Sequence, residues 1–138
     1  MIRFHSEDCP LPDFDQRKIA DWIIQISFLH GKKVGEVNYL FCSDERMLAL
    51  NNAYLRHDYY TDIITFDYSE QNKLAGDIYI GTETVASNAG LLGISKEAEL
   101  HRVIIHGILH LCGYKDKTPE DEEIMHQKEE EALNILMD

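Results

Sequence analysis

Apolar positions change their period along the chain, and the changes divide it into elements. From Pro12 to about Leu29, the positions Ile19, Trp22, Ile23, Ile26 and Leu29 recur at helical spacing, and the following HGKK closes that predicted helix. IRFH ahead of it reads as a short strand. VGEVNYLFCS reads as a second strand, with β-branched and aromatic residues alternating in part. Ser43 or Asp44 can cap a helix of roughly Glu45 to Leu55, with Met47, Leu48 and Leu50 inward. DIITFDYS is strand-like, and GDIYIG follows it across the polar turn EQNK, so the two predict a hairpin. A helix from about Glu83 to Leu92 ends at Gly93. Ser95 then caps a longer one, with Glu97 or Glu99 in its first turn. That helix, SKEAELHRVIIHGILHLC, is apolar on nearly every side beyond Leu100, the pattern of a buried helix. Thr118, Pro119 and the acids after them start a last helix that runs to the C-terminus. Its inner face is thin, made of Ile124, Met125, Leu133 and Leu136, and the acidic remainder reads as a solvated face.

These four strands and five helices predict an α+β protein, and 138 residues suit one domain over 1–138. The hydrophobic share of 44% and charged share of 28% are ordinary for a globular chain. No apolar run approaches the roughly 18 to 20 residues that span a bilayer, and MIRFHSEDCP lacks the features of a secretory signal, so a cytoplasmic, membrane-free protein is expected. Cys9, Cys42 and Cys112 are odd in number and show no CxxC spacing, which argues against both a disulfide framework and a thiolate zinc cage. The formal net charge of -12 opposes a polyanionic partner at long range. Much of it lies in residues 118–138, where eight acids face Lys128 alone. The remainder is less acidic, and Arg3, Lys33, Arg46, Arg56, Arg102, Lys115 and Lys117 could form a local basic surface.

The candidate chemistry lies in HGILHLCGYKD, residues 106–116. His106 and His110 stand one helical turn apart on one face, so their imidazoles can reach a single ion. Gly113 stands where the helix must stop, and the reversal there returns Asp116 to the pair. Two imidazoles and one carboxylate leave a tetrahedral ion an open position, the arrangement of a catalytic site. A single histidine on an apolar helix is more often a hydrogen-bonded core residue. A pair in a buried helix, with the turn and the acid added, favours metal. Cys112 points off that face, and His101 lies away from it as a surface or supporting residue. The zinc-peptidase pattern HExxHxxGxx(H or D) shares these spacings. Gly107 occupies the place of its glutamate base, which disfavours a protease.

ELHRVIIHGILHLCGYKD resembles the signature HGxLHLxGYDH of the YbeY family of endoribonucleases and rRNA maturation factors. LNNAYLRHDYYTDIITF is similar to that family's LNxxYRxxDxPTDVLSF, AGDIYIGTETVASNA to its GDIxIS element, and EEIMHQKEEEAL to its acidic last helix. The resemblance covers roughly residues 35 to 133. It implies a zincin-like fold with a small mixed sheet and a central metal-binding helix. It further implies one zinc or other divalent ion on His106, His110 and Asp116, and partners among precursor rRNA, the ribosome and its proteins, with no DNA. Asp116 stands where the family has a third histidine, and Tyr60 where it has proline. Leu55 stands where it has an arginine, and Arg56 one place later is the candidate catalytic phosphate clamp, with His57 beside it. The expected reaction is hydrolysis of a phosphodiester in single-stranded RNA by metal-activated water, with Gly107 leaving room for the RNA backbone. Two alternatives remain: a ribosome-assembly factor with a structural metal, and a metal hydrolase of a non-RNA substrate. Asp77, Thr61 and Asp62 are left outside the catalytic set.

Overall fold

A computed structural model describes residues 1–55 and 61–137. Its order is β1 (Ile2–Ser6), α1 (Gln16–Leu29), β2 (Lys33–Cys42), α2 (Asp44–Leu50), β3 (Ile63–Asp67), β4 (Lys73–Gly81), α3 (Thr82–Leu92), α4 (Lys96–Leu111) and α5 (Pro119–Met137). The strands form one mixed sheet in the order β1-β2-β4-β3, with β1, β2 and β4 parallel and β3 antiparallel to β4. The expected α+β class, the hairpin and the five helices are all present.

Local chemistry explains where the helices begin. Helix α1 begins at Gln16 rather than near Pro12, capped by Asp15, whose side chain accepts from the Lys18 amide at 3.1 Å. The Pro10–Pro12 stretch stays outside the helix, since proline disfavours the helical conformation in the residue before it. Ser95 caps α4 through the Ala98 amide at 3.0 Å, and Thr118 caps α5 through the Asp121 amide at 3.0 Å. The helix expected to reach Leu55 instead loosens after Leu50 into a π-helical turn, Asn51–Leu55.

Alternation in the strands splits the apolar residues between two clusters. Leu74, Ile78 and Ile80 of β4 meet Tyr39 and Phe41 of β2 and the inner faces of α1, α4 and α5. On the other face Cys42, Met47, Leu50 and Ile64 form a smaller cluster under α2. Helix α4 runs through the larger one, touching α1, α3, α5, β3 and β4. Two polar tips tie these layers together. The Tyr39 hydroxyl donates to the Ile104 carbonyl at 2.7 Å, and Trp22 Nε1 donates to the Ala132 carbonyl at 2.8 Å, each bond satisfying a buried group at the end of an otherwise apolar ring.

The last helix corrects one expectation. Its buried residues are Met125, Glu129, Ala132 and Leu136, while Ile124 is exposed. The inward stripe thus includes an acid that the sequence reading left in solvent. No helix among the described residues is long and apolar enough to cross a membrane.

Candidate metal centre

Residues four apart on α4 share a face, so Arg102, His106 and His110 line up along it. They face a cavity of about 530 Å³ that Asp62, Asp116 and Lys117 also line. Beyond the helix, Gly113 adopts φ +110°, a conformation that glycine reaches without Cβ strain. Its amide donates to the His110 carbonyl at 3.0 Å and that of Tyr114 to the Leu109 carbonyl at 3.1 Å, closing the reversal. Asp116 returns as expected. Its Oδ2 lies 3.3 Å from His106 Nε2 and 3.2 Å from His110 Nε2. One donor atom from each of the three side chains lies within 4.8 Å of the others, close enough to share one ion.

The far side of each ring tests whether the site suits a metal. His106 Nδ1 meets Glu129 Oε2 at 2.5 Å, and His110 Nδ1 meets the Tyr114 carbonyl at 2.9 Å. An ionised carboxylate and a carbonyl only accept, so each Nδ1 carries the proton and each Nε2 turns a lone pair to the cavity. The donor set of two imidazoles and one carboxylate suits zinc or a neighbouring divalent transition metal. Among the described residues no fourth histidine, cysteine or acid joins the three. The ion would therefore keep a face toward the cavity.

Behind the ligands lies a charged cluster. Glu99 is fully buried and takes a two-pronged contact from Arg102, Nε to Oε1 at 2.7 Å and Nη2 to Oε2 at 2.6 Å. Arg102 Nη1 reaches Glu129 Oε1 at 3.3 Å, and Nη2 lies 3.6 Å from Asp62. These acids hold the Arg102 pKa above its ordinary value, chiefly through the Glu99 hydrogen bond. Burial raises the Asp62 carboxyl despite the opposing charges of Arg102 and His106. For the ion-free His106 ring, burial disfavours the charged form, but the Glu129 hydrogen bond and the charges of Glu129 and Asp116 outweigh it, and the pKa rises.

Sequence reasoning missed this cluster. In the sequence Glu99 reads as a first-turn helix acid, Glu129 as part of a solvated face and Arg102 as part of a basic surface. One signal was available: Glu129 follows Met125 by four residues and precedes Ala132 by three, so it falls inside the apolar stripe of α5. Asp62 and Thr61, set aside earlier, both line the cavity. Asp77 lies within β4, accepting from Asn38 Nδ2 at 3.2 Å. His101 packs edge-on to Trp22, away from the ligands. Gly107 requires correction. A Cβ there would lie 3.0 Å from Ile78 Cδ1 and Cγ2 and 3.3 Å from Ile63 Cδ1, so its bare backbone serves the contact between α4 and the sheet rather than room for RNA. Arg56 and His57, the expected phosphate clamp, lie outside the described residues.

The family model described as Endoribonuclease YbeY matches residues 1–137. The chain belongs to the YbeY family. A YbeY endoribonuclease of Parabacteroides distasonis is 50% identical over 135 residues, covering 98% of this chain and 95% of the relative. One from Porphyromonas gingivalis is 52% identical over 137 residues, covering 99% and 91%. The solution structure of a Thermotoga maritima protein superposes with a TM-score of 0.70 at 27% identity, covering 99% of this chain and 89% of that one. The family match thus extends over residues 1–137, and the likeness of fold over 99% of the chain.

Proposed function

We propose that residues 1–138 act as one metal-dependent domain that cleaves single-stranded RNA internally, in the cytoplasm, during maturation and quality control of rRNA. The YbeY relatives named as endoribonucleases support the reaction class. The observation that carries the metal-dependent reading is the convergence of His106 Nε2, His110 Nε2 and Asp116 Oδ2 at the wall of a cavity of about 530 Å³. One zinc ion suits these donors, and when bound it supplies Lewis acidity to water and to a phosphoryl oxygen. Glu129 and the Tyr114 carbonyl hold the two Nδ1 protons and so orient both rings. Arg56 supplies positive charge to the scissile phosphate, and Lys117, at the cavity wall, binds the RNA backbone beside it. The substrate is precursor rRNA on the ribosome or with its proteins, and neither DNA nor a membrane takes part.

The test joins elemental analysis of untagged protein to cleavage of labelled precursor rRNA. One zinc ion per chain is expected, and His110→Ala and Asp116→Ala should lose both the ion and the cleavage. Full cleavage by protein stripped of metal would rule the mechanism out.

A further inference from the structure

Arg102 lines the cavity one turn from His106, where a cation would be expected to bind substrate phosphate. Its contacts argue otherwise. Nε and Nη2 are engaged by Glu99, Nη1 by Glu129, and Nη2 also faces Asp62. All three nitrogens therefore face carboxylates already, and no edge of the planar fork stands free for a two-pronged phosphate contact. Two of those carboxylates are almost wholly removed from water, with the Glu99 side chain 0% and that of Glu129 3% exposed. Buried carboxylates persist as anions only beside a cation, and Arg102 lies between these two. Glu129 in turn presents its Oε2 to His106 Nδ1.

We propose that Arg102 is a positioning residue for the metal centre: anchored by Glu99, it holds Glu129 against His106 Nδ1 and so fixes the direction in which His106 Nε2 faces the ion. The inference rests on the metal reading above and adds a chain of command behind one ligand, running Glu99, Arg102, Glu129, His106. It also ties α5 to the site, because Glu129 of that helix reaches Arg102 and His106 of α4 through charge. Arginine suits the task better than lysine, since one planar fork can satisfy Glu99 at its Nε edge and still offer Nη1 to Glu129, whereas an ammonium is a single point charge.

Zinc affinity, measured by competition with a chromogenic chelator, reads this role without RNA. Supporting partners of metal-bound histidines are worth about 10- to 100-fold in affinity, and that loss is expected for Glu129→Gln and for Arg102→Met. The double variant should be no weaker than the worse single one, because both act along one chain of contacts. Arg102→Lys should recover part of the loss. In nitrogen-detected NMR of the zinc-loaded protein, the His106 Nδ1 proton should lie far downfield in wild type and move upfield in Glu129→Gln and Arg102→Met. Unchanged affinity and an unmoved Nδ1 signal in Arg102→Met, with a raised KM for RNA, would make Arg102 a substrate contact and overturn the proposal. Additive losses in the double variant would overturn it too. If Arg102→Met does not fold, Arg102→Lys and Glu129→Gln decide by the same readouts. Wild-type protein that takes up no zinc removes the metal reading itself; wild-type uptake with unaltered variants removes only the positioning role.

Discussion

Gly107→Ala tests how α4 is seated on the sheet, because the substitution sets two effects of known sign against each other. Alanine in place of glycine within a helix favours folding by about 0.8–1.0 kcal/mol through backbone entropy. Against this, the new Cβ would approach Ile78 Cδ1 and Cγ2 to 3.0 Å and Ile63 Cδ1 to 3.3 Å. Carbon pairs prefer roughly 3.5–4.0 Å, so each contact is too short by some tenths of an ångström. Ile78 is 0% exposed and β-branched, with few rotamers to retreat into. Overpacking a rigid core costs roughly 1–3 kcal/mol, so the expected balance is a net loss of about 1 kcal/mol. Gly90 provides the control. It is an exposed glycine of α3 with nothing within 4 Å of its would-be Cβ, so Gly90→Ala should raise stability by nearly the full propensity gain of about 1 kcal/mol. Urea unfolding of both variants with chelator present keeps metal binding out of the comparison, and an unchanged slope with denaturant shows that stability alone moved. A Gly107→Ala protein stabilised as much as Gly90→Ala would refute the tight seating.

Other substitutions probe the same centre from different sides. Gly113→Ala forces a Cβ onto φ +110° with open space around it, so the cost is backbone strain of roughly 1–3 kcal/mol. Zinc affinity should fall with it, because that turn places Asp116; an unchanged affinity by chelator competition would show that the turn is dispensable. Among the described residues Lys117 lines the cavity without an ion-pair partner, in contrast to Arg102. Lys117→Ala should raise KM for RNA, leave kcat and zinc content alone, and reduce the salt dependence of binding by about one phosphate contact; a lowered kcat at constant KM would contradict this. Burial pushes the Cys42 thiol up to about 12 and that of Cys112 to about 11. A raised thiol pKa withholds the thiolate below that value, so at pH 8 iodoacetamide should spare both in the native protein. Labelling should rise as pH approaches 11, and peptide mass spectrometry showing prompt modification of native Cys42 at pH 8 would contradict its burial.

The legible parts of this protein are those whose cause lies within a few residues. The i, i+4 histidines, the glycine that ends their helix and the acid after it form a local motif, and helix and turn geometry alone were enough to anticipate that His106, His110 and Asp116 would meet. Apolar runs without a polar face marked α4 as buried, and the spacing of DIITFDYS and GDIYIG marked the β3–β4 hairpin. Other features depended on partners distant in the chain. Glu99 has Arg102 one turn away on its own helix, but nothing local reveals that this pair will be buried or that Glu129 will join it; charge burial is decided by what the fold brings alongside, here across 27 residues for Arg102 and Glu129. Gly107 suggests space for substrate because it stands where a zinc peptidase has its glutamate, but a helix has several faces, and only the docking of α4 on Ile78 and Ile63 shows which one the missing side chain serves. Sequence by itself thus determined the elements and the three converging donors, through periodicity and turn chemistry. The tertiary structure alone decided which charges are buried behind them, because burial of Glu99 and Arg102 depends on the segments packed over α4, and Glu129 meets its counter-charge only when α5 docks there.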